Sequence, residues 1–289
     1  MPDFNPLQFT HALADMRYLS SESAWGGHLP FTQVIMPLVR PRVFVELGTH
    51  AGDSYCGFCQ AVVDQQLLET RCHAVDTWRG DAHTGAYGER VYEQLRSFHD
   101  AAYASFSTLH RMTFDQALEQ FADRSIDLLH IDGLHTYEAV RHDYEAWRPK
   151  LSDRGVVLFH DTAVWDGDFG VWQFWDELKV QFPNFEFPHE SGLGVIAVGA
   201  AASPALLSFL ETANREAHLV RGYFKALGDR YTFATMLMRS ARTLYAAHAT
   251  ADQCRISNGR PAAPPLADTD ARTLAAAVLR DVRELTGQR

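Results

Sequence analysis

Short apolar runs, each ending in polar or ionisable residues, recur along the first 200 positions of the chain. Val43, Phe44 and Val45 form one run, Cys72 to Val75 a second, and a third is expected near Thr108–Met112. Leu128, Leu129 and Ile131 form the fourth, interrupted only by His130, and Gly155 to Phe159 carries the fifth. Apolar runs of this length, bounded by turn signals, are the pattern of strands buried on both faces of a parallel sheet. Between the runs the period changes. Tyr137, Val140, Tyr144, Trp147 and Leu151 sit three or four apart, one face of a helix. Further helices are expected from Asp53-Ser54, over Glu89 to Phe98, from Phe114 to Phe121 and over Val171–Val180. Phe185–His189 and Leu193–Val198 read as two strands joined without a helix. Strands interleaved with helices and closed by such a hairpin predict a Rossmann-like α/β sheet of seven strands, the last antiparallel.

The flanks follow another pattern. Residues 5–40 read as one or two helices, broken at Ser20–Ser23 and Gly26-Gly27. Trp25 and Tyr18 there are candidates for a lid over a pocket, or simply pack on the domain edge. Beyond residue 200 the chain turns helical. One helix is expected over Pro204 to about Leu227, a break at Gly228-Asp229, and a second helix over Tyr231–His248. Ala262-Ala263-Pro264-Pro265 reads as a linker, near 261–266, and Thr273–Leu285 as a last short helix. The expected organisation is an N-terminal helical segment, 1–40, a central domain, 41–200, and a helical C-terminal extension, 201–289. Charge divides at the same place. Residues 1–200 carry 14 basic and 28 acidic side chains, net −14, and residues 201–289 carry 12 and 8, net +4, which sum to the chain's −10. The extension either packs on its own chain or makes a homo-oligomer.

Composition excludes several classes. Hydrophobic residues at 46% and charged residues at 21% suit a globular domain. No apolar run reaches the ~18 residues of a membrane span, and the N-terminus lacks the basic start and apolar core of a secretory signal. Cys56, Cys59, Cys72 and Cys254 are too few for a disulfide framework at this length, so a reducing cytoplasm is the expected location. Cys56 and Cys59 form a lone CxxC inside a helix. The negative charge argues against a nucleic-acid partner.

Candidate chemistry gathers where the apolar runs end. In open α/β sheets, ligands bind outside the carboxyl ends of the strands. Glu46-Leu47-Gly48-Thr49-His50-Ala51-Gly52 is a glycine-rich turn leading into a helix, whose free N–H groups suit an anion. Its form, E-x-G-x-x-x-G, lacks the first glycine of the dinucleotide fingerprint, which disfavours a nicotinamide cofactor. Asp76 ends the second run, at the place of an acid that binds a ribose; the alternative is a solvated loop residue. Asp132 and His135 end the fourth run, and His160-Asp161 the fifth. The two Asp either close on one metal ion or cap their loops. His135 is a general base, a helix-start hydrogen bonder or a ligand. His130 reads as a buried, satisfied histidine.

These motifs together resemble a class I S-adenosylmethionine-dependent methyltransferase. VELGTHAGDS resembles the first motif of that class and HAVDTW the second. IDGLHTYEAVRHDYEAW, GVVLFHDT and FGVWQFWDEL resemble the methyltransferase 24 branch, which is related to metal-dependent O-methyltransferases of macrolide sugars and to the cephalosporin-hydroxylase-like family. The resemblance spans about residues 40–200. It implies that Gly48, Thr49 and Gly52 approach the methionine part of the cofactor, with Glu46 orienting that turn or the amino group. Asp76 takes the ribose, and Phe114 and Asp115 lie at the adenine. Asp132, also beside the cofactor, and Asp161 hold a divalent metal, magnesium or manganese, with His160 as third ligand and His135 as base. Relatives carry a carboxylate immediately before the second Asp. His160 at that place moves the preference from magnesium toward manganese or zinc. The loop Trp78–His83 is expected to lie over the cofactor site, and Trp172, Phe174 and Trp175 to form core and acceptor-side wall. The activity implied is O-methylation of a sugar or glycosylated small molecule. Alternatives are a metal-free or N-methylating enzyme, and a binding module without catalysis.

Overall fold

The computed structural model describes residues 4–257, without the side chains of 244, 245, 247–252 and 254–256. The expected linker near 261–266 and the helix Thr273–Leu285 lie outside the described residues, as does the side chain of Cys254.

Seven strands form one sheet. In chain order they are β1 (Val43–Leu47), β2 (Arg71–Asp76), β5 (Ser107–Arg111), β6 (Ile126–Ile131), β7 (Leu151–His160), β8 (Asn184–Phe187) and β9 (Leu193–Ala197). Their spatial order is β5-β2-β1-β6-β7-β9-β8. The first five pair in parallel, and β9 runs antiparallel to both β7 and β8. The Rossmann-like α/β class with an antiparallel last strand is therefore as expected. Two short strands, β3 (Gly80–Asp81) and β4 (Gly85–Ala86), make a ribbon inside the polar stretch after β2.

Strand alternation divides the buried side chains between two faces. Phe44, Leu128, Val156 and Leu158 face one layer, built from α1 (Leu29–Val39), α2 (Asp53–Asp64), α7 (Pro204–Arg215) and the first half of α8 (Ala217–Ser257). Val45, Leu47, Leu129, Ile131, Val157 and Phe159 face the other, built from α5 (Tyr137–Trp147) and α6 (Val171–Lys179). Two more helices, α3 (Glu89–Ala102) and α4 (Phe114–Ala117), precede and follow β5.

The C-terminal helices differ from expectation. The chain breaks at Glu216, not at Gly228-Asp229, and α8 runs unbroken through Gly228. The glycine serves contact. A Cβ at Gly228 would meet the Gly27 carbonyl oxygen at 2.1 Å, so its absence lets α8 cross the short 3₁₀ turn Gly26–His28 closely. Beyond this crossing α8 ties down the N-terminal segment. Arg230 donates to the carbonyls of Leu13 and Ala14, Tyr231 Oη to that of Ala14, and Arg239 to those of Ser21 and Ser23. No helix among the described residues is long and apolar enough to cross a membrane.

Candidate active site

A cavity of about 430 Å³ opens at the carboxyl ends of β1, β2, β6 and β7. Its first wall is the turn from β1 into α2. Gly48 takes φ 86°, and a Cβ there would meet the Asp132 carbonyl oxygen at 1.8 Å. Glycine is thus required by the close passage of the next strand end, whose Asp132 N–H donates to the Leu47 carbonyl at 2.8 Å. Asp76 fastens the same turn. Its Oδ2 accepts from the Thr49 and His50 N–H groups at 2.9 and 2.8 Å, and its Oδ1 from the Trp78 N–H at 2.7 Å. The hydroxyl of Thr49 is buried beside the cavity and has no partner among the described residues.

The second wall is a cluster of two carboxylates and two imidazoles. Asp132 follows β6, and Asp161 follows β7 at φ 61°, an uncommon backbone for a residue with a side chain. His135 Nε2 lies 3.0 Å from Asp161 Oδ2 and 3.5 Å from Asp132 Oδ1. His160 Nδ1 lies 3.1 and 3.3 Å from the same two oxygens. Burial alone would lower the pKa of His135, but its hydrogen bonds to Asp132 and Asp161 and their charge outweigh burial and lift it to about 9. Burial likewise works against a charged His160, yet the charges of Asp161 and Asp132 raise it well above the usual histidine range. Burial would raise both carboxyls; the charge of His160 and the bonds from both histidines hold them below their ordinary range instead. Two imidazoliums thus balance two carboxylates. One donor atom each from Asp132, His135 and Asp161 can be chosen so that all lie within 4.8 Å of one another, a spacing that suits a metal ion.

The remaining walls come from separate loops. Ser23, Ala24 and Trp25 arrive from the N-terminal segment, His83 and Tyr87 from the β3–β4 region, and Phe169 from the loop before α6. His83 Nδ1 lies 3.2 Å from His135 Nδ1, and its Nε2 lies 2.9 Å from Asp168.

Residues 45–162 match the model of the methyltransferase 24 family, described as a methyltransferase domain. The match runs from within β1 to Thr162, less than half of the chain, and leaves both flanks outside it. A relative in Sinorhizobium fredii, the uncharacterized protein y4gI, is 45% identical over 221 residues. That alignment covers 76% of this chain, and the chain spans about a quarter, 24%, of the relative's length. Among solved structures, the chain is similar to the O-methyltransferase TomG of Streptomyces achromogenes in complex with SAM, at 15% identity and TM-score 0.46, over 67% of this chain and 89% of that one. It is also similar to a caffeoyl-CoA O-methyltransferase homologue of Staphylococcus aureus, at 12% identity and TM-score 0.45, over 58% and 82%.

The methyltransferase domain brings most of the expected residues to one cavity: Gly48, Thr49, Gly52, Asp76, Phe114, Asp132, His135, His160 and Asp161 all line it. Two do not. Glu46 is fully buried beneath the turn, with Oε2 2.8 Å from His130 Nδ1, because alternation points it into the layer under the sheet. Asp115 is turned to the surface by its helix, where its Oδ1 pairs with His142 at 2.9 Å. Phe174 and Trp175 are core of the opposite layer, and neither they nor Trp172 line the cavity. Of the two lid candidates, Trp25 lines the cavity, while Tyr18 donates its hydroxyl to the Ala51 carbonyl at 2.8 Å. His83, Tyr87 and Phe169 were not singled out from the sequence; the loop holding His83 was expected over the site, but nothing local marked these side chains.

Proposed function

We propose that the chain transfers a methyl group from S-adenosylmethionine to a hydroxyl of a sugar or glycosylated small molecule, with a divalent metal assisting. One observation carries this reading. The glycine turn with Asp76 and the cluster of Asp132, His135, His160 and Asp161 line the same cavity. The unpartnered Thr49 hydroxyl in its wall suits a polar ligand. When bound, the cofactor supplies a methyl on a sulfonium, open to in-line displacement. Asp76 uses three acceptor positions on backbone N–H groups; a carboxylate offers about four, which leaves one for a ribose hydroxyl. Trp25, His83 and Phe169 wall the site.

Asp132, His135 and Asp161 would hold the ion, with His160 against the same carboxylates. This mixed oxygen and nitrogen set suits manganese or zinc better than magnesium. A bound divalent ion lowers the pKa of a coordinated hydroxyl. An imidazole of the cluster can take the acceptor proton only when neutral, so kcat/KM is expected to rise with pH. His135→Ala removes one of the three ligands and is expected to weaken metal binding and lower the rate together.

A metal-free reading is favoured by one feature: the two histidines, as cations, already balance the two carboxylates. Full activity in the presence of chelator would select it. The proposed function itself is tested by transfer of labelled methyl from S-adenosylmethionine across a panel of sugar, glycoside and amine acceptors, alongside calorimetry with S-adenosylhomocysteine. Label on a hydroxyl and heat of binding are expected. Heat with NAD and none with S-adenosylhomocysteine would overturn it.

A further inference from the structure

We propose that His83 is a positioning residue of the metal centre, which fixes the tautomer of His135 so that its Nε2 lone pair faces the two carboxylates. This role presupposes that Asp132, His135 and Asp161 bind a divalent ion.

A chain of four side chains runs from the surface to the cluster. Asp168, 74% exposed, meets His83 Nε2 at 2.9 Å. His83 Nδ1 meets His135 Nδ1 at 3.2 Å, and His135 Nε2 meets Asp161 at 3.0 Å. The partners dictate the protons. A carboxylate only accepts, so His83 Nε2 carries the hydrogen it donates to Asp168. With its one ring hydrogen on Nε2, His83 has Nδ1 as an acceptor. Two acceptors do not face each other at this distance, so His135 Nδ1 carries a hydrogen and donates it. His135 keeps that Nδ1–H whether its Nε2 holds a proton or a metal. Only Nε2 exchanges one for the other. Metal-ligating histidines in general depend on such a bond at the second nitrogen for tautomer and ring orientation.

Ring geometry supports the same role. The planes of His83 and His135 differ by 6°, and Phe169 lies across both, at 4.5 and 4.9 Å between centroids and 10° and 5° between planes. The two imidazoles therefore lie side by side under one phenyl ring. Neither can rotate without losing the stack. Backbone bonds hold the frame. The His83 N–H donates to Asp81 Oδ1 at 2.8 Å, and the Gly170 N–H donates to the His135 carbonyl at 2.8 Å. Three loops that are distant in sequence meet at His83.

Calorimetric titration with Mn²⁺ at fixed pH tests the role. His83→Phe keeps a flat ring but removes both nitrogens, and is expected to weaken Mn²⁺ binding ~10–100-fold. His83→Asn sets an amide oxygen near the place of Nδ1 and is expected to recover most of the loss. Asp168→Ala, at an exposed side chain that leaves folding intact, is expected to cause a smaller loss. S-adenosylhomocysteine affinity should hold in Asp168→Ala, whose side chain lies off the cavity wall. Mn²⁺ binding to His83→Phe as tight as to wild type overturns the role. So does a loss that Asn fails to rescue and that extends to S-adenosylhomocysteine, since that marks a general loosening of the loops. Should His83→Phe not fold, an unchanged Mn²⁺ affinity in Asp168→Ala overturns it instead. If wild type itself takes up no Mn²⁺ while binding S-adenosylhomocysteine, the metal reading has failed and the role falls with it.

Discussion

The two faces of the sheet contrast in what they bury. Toward α5 and α6, the central strands present Val45, Leu47, Leu129, Ile131, Val157 and Phe159, all apolar. Toward α1 and α2, the same strands present Phe44, Leu128, Val156 and Leu158, but also Glu46, His130 and His160, each buried. Trp25 covers this polar patch, with its ring 4.9 Å from His130 and 5.6 Å from His160. The apolar face lies largely within the stretch that matches the methyltransferase family, residues 45–162. The polar face is roofed by α2, which lies inside that stretch, and by parts outside it, namely the N-terminal segment, α7 and α8. One side of the sheet thus supplies stability, and the other supports the carboxylates from below. The flanking helices belong to the site because they cover its polar floor.

The sharpest way to break this comparison is to remove the polar side's outlet. Asp132→Ala and Asp161→Ala are each expected to reduce methyl transfer to background, and chelation of wild type to do so reversibly. Full activity in either variant would make the cluster structural only.

The polar floor comes next. Glu46 and His130 pair at 2.8 Å with both side chains fully buried. Removing one partner strands the other in the core. Glu46→Leu is therefore expected to cost about 3–5 kcal/mol in urea unfolding. Replacing both, Glu46→Leu with His130→Leu, is expected to restore most of that or to exceed wild type, since a buried pair of ionisable side chains is often no more stabilising than apolar residues of similar volume. A double variant as unstable as the single would show that the patch is held by more than this pair.

Asp143 sharpens the comparison from the other side, as a buried carboxyl on α5. Burial raises its pKa to about 7, opposed by His142 and reinforced by Asp115. The sign follows. The folded state holds this proton more tightly than the unfolded chain, so the group's contribution is fully present below about pH 4. It is lost as pH rises through 7. Wild type should lose up to roughly 4 kcal/mol over that span from this group, and Asp143→Asn should flatten that part of the profile. Identical profiles would mean that the carboxyl is solvated.

The smallest effect is expected at Asp76. Asp76→Ala should weaken S-adenosylhomocysteine binding by ~1–3 kcal/mol, since it leaves polar partners unmet. An unchanged affinity in calorimetry would move the ribose contact elsewhere.

How much of this was legible depends on the range of the interaction that made it. Apolar runs ending in Glu46, Asp76, Asp132 and Asp161 located the strands and the edge that carries the chemistry, because burial and alternation act over a few residues. The helix break was misread for the same reason. Gly228 looks like a stop signal locally, and only its crossing with Gly27 shows that its missing Cβ serves packing. Asp115 follows a strand as a cofactor residue would, but its turn of helix points it at His142. The pairing of His83 with His135 spans 52 positions, and no local pattern encodes it. By itself, then, the sequence determined the sheet, the order of its strands along the chain and the set of ionisable residues at their carboxyl ends. Tertiary structure alone decided which of those residues share a cavity, which loops wall it, and which nitrogen of His135 faces the carboxylates. Hydrophobic period is a property of neighbours in the chain, whereas a hydrogen bond between loops exists only once the layers beneath them have packed.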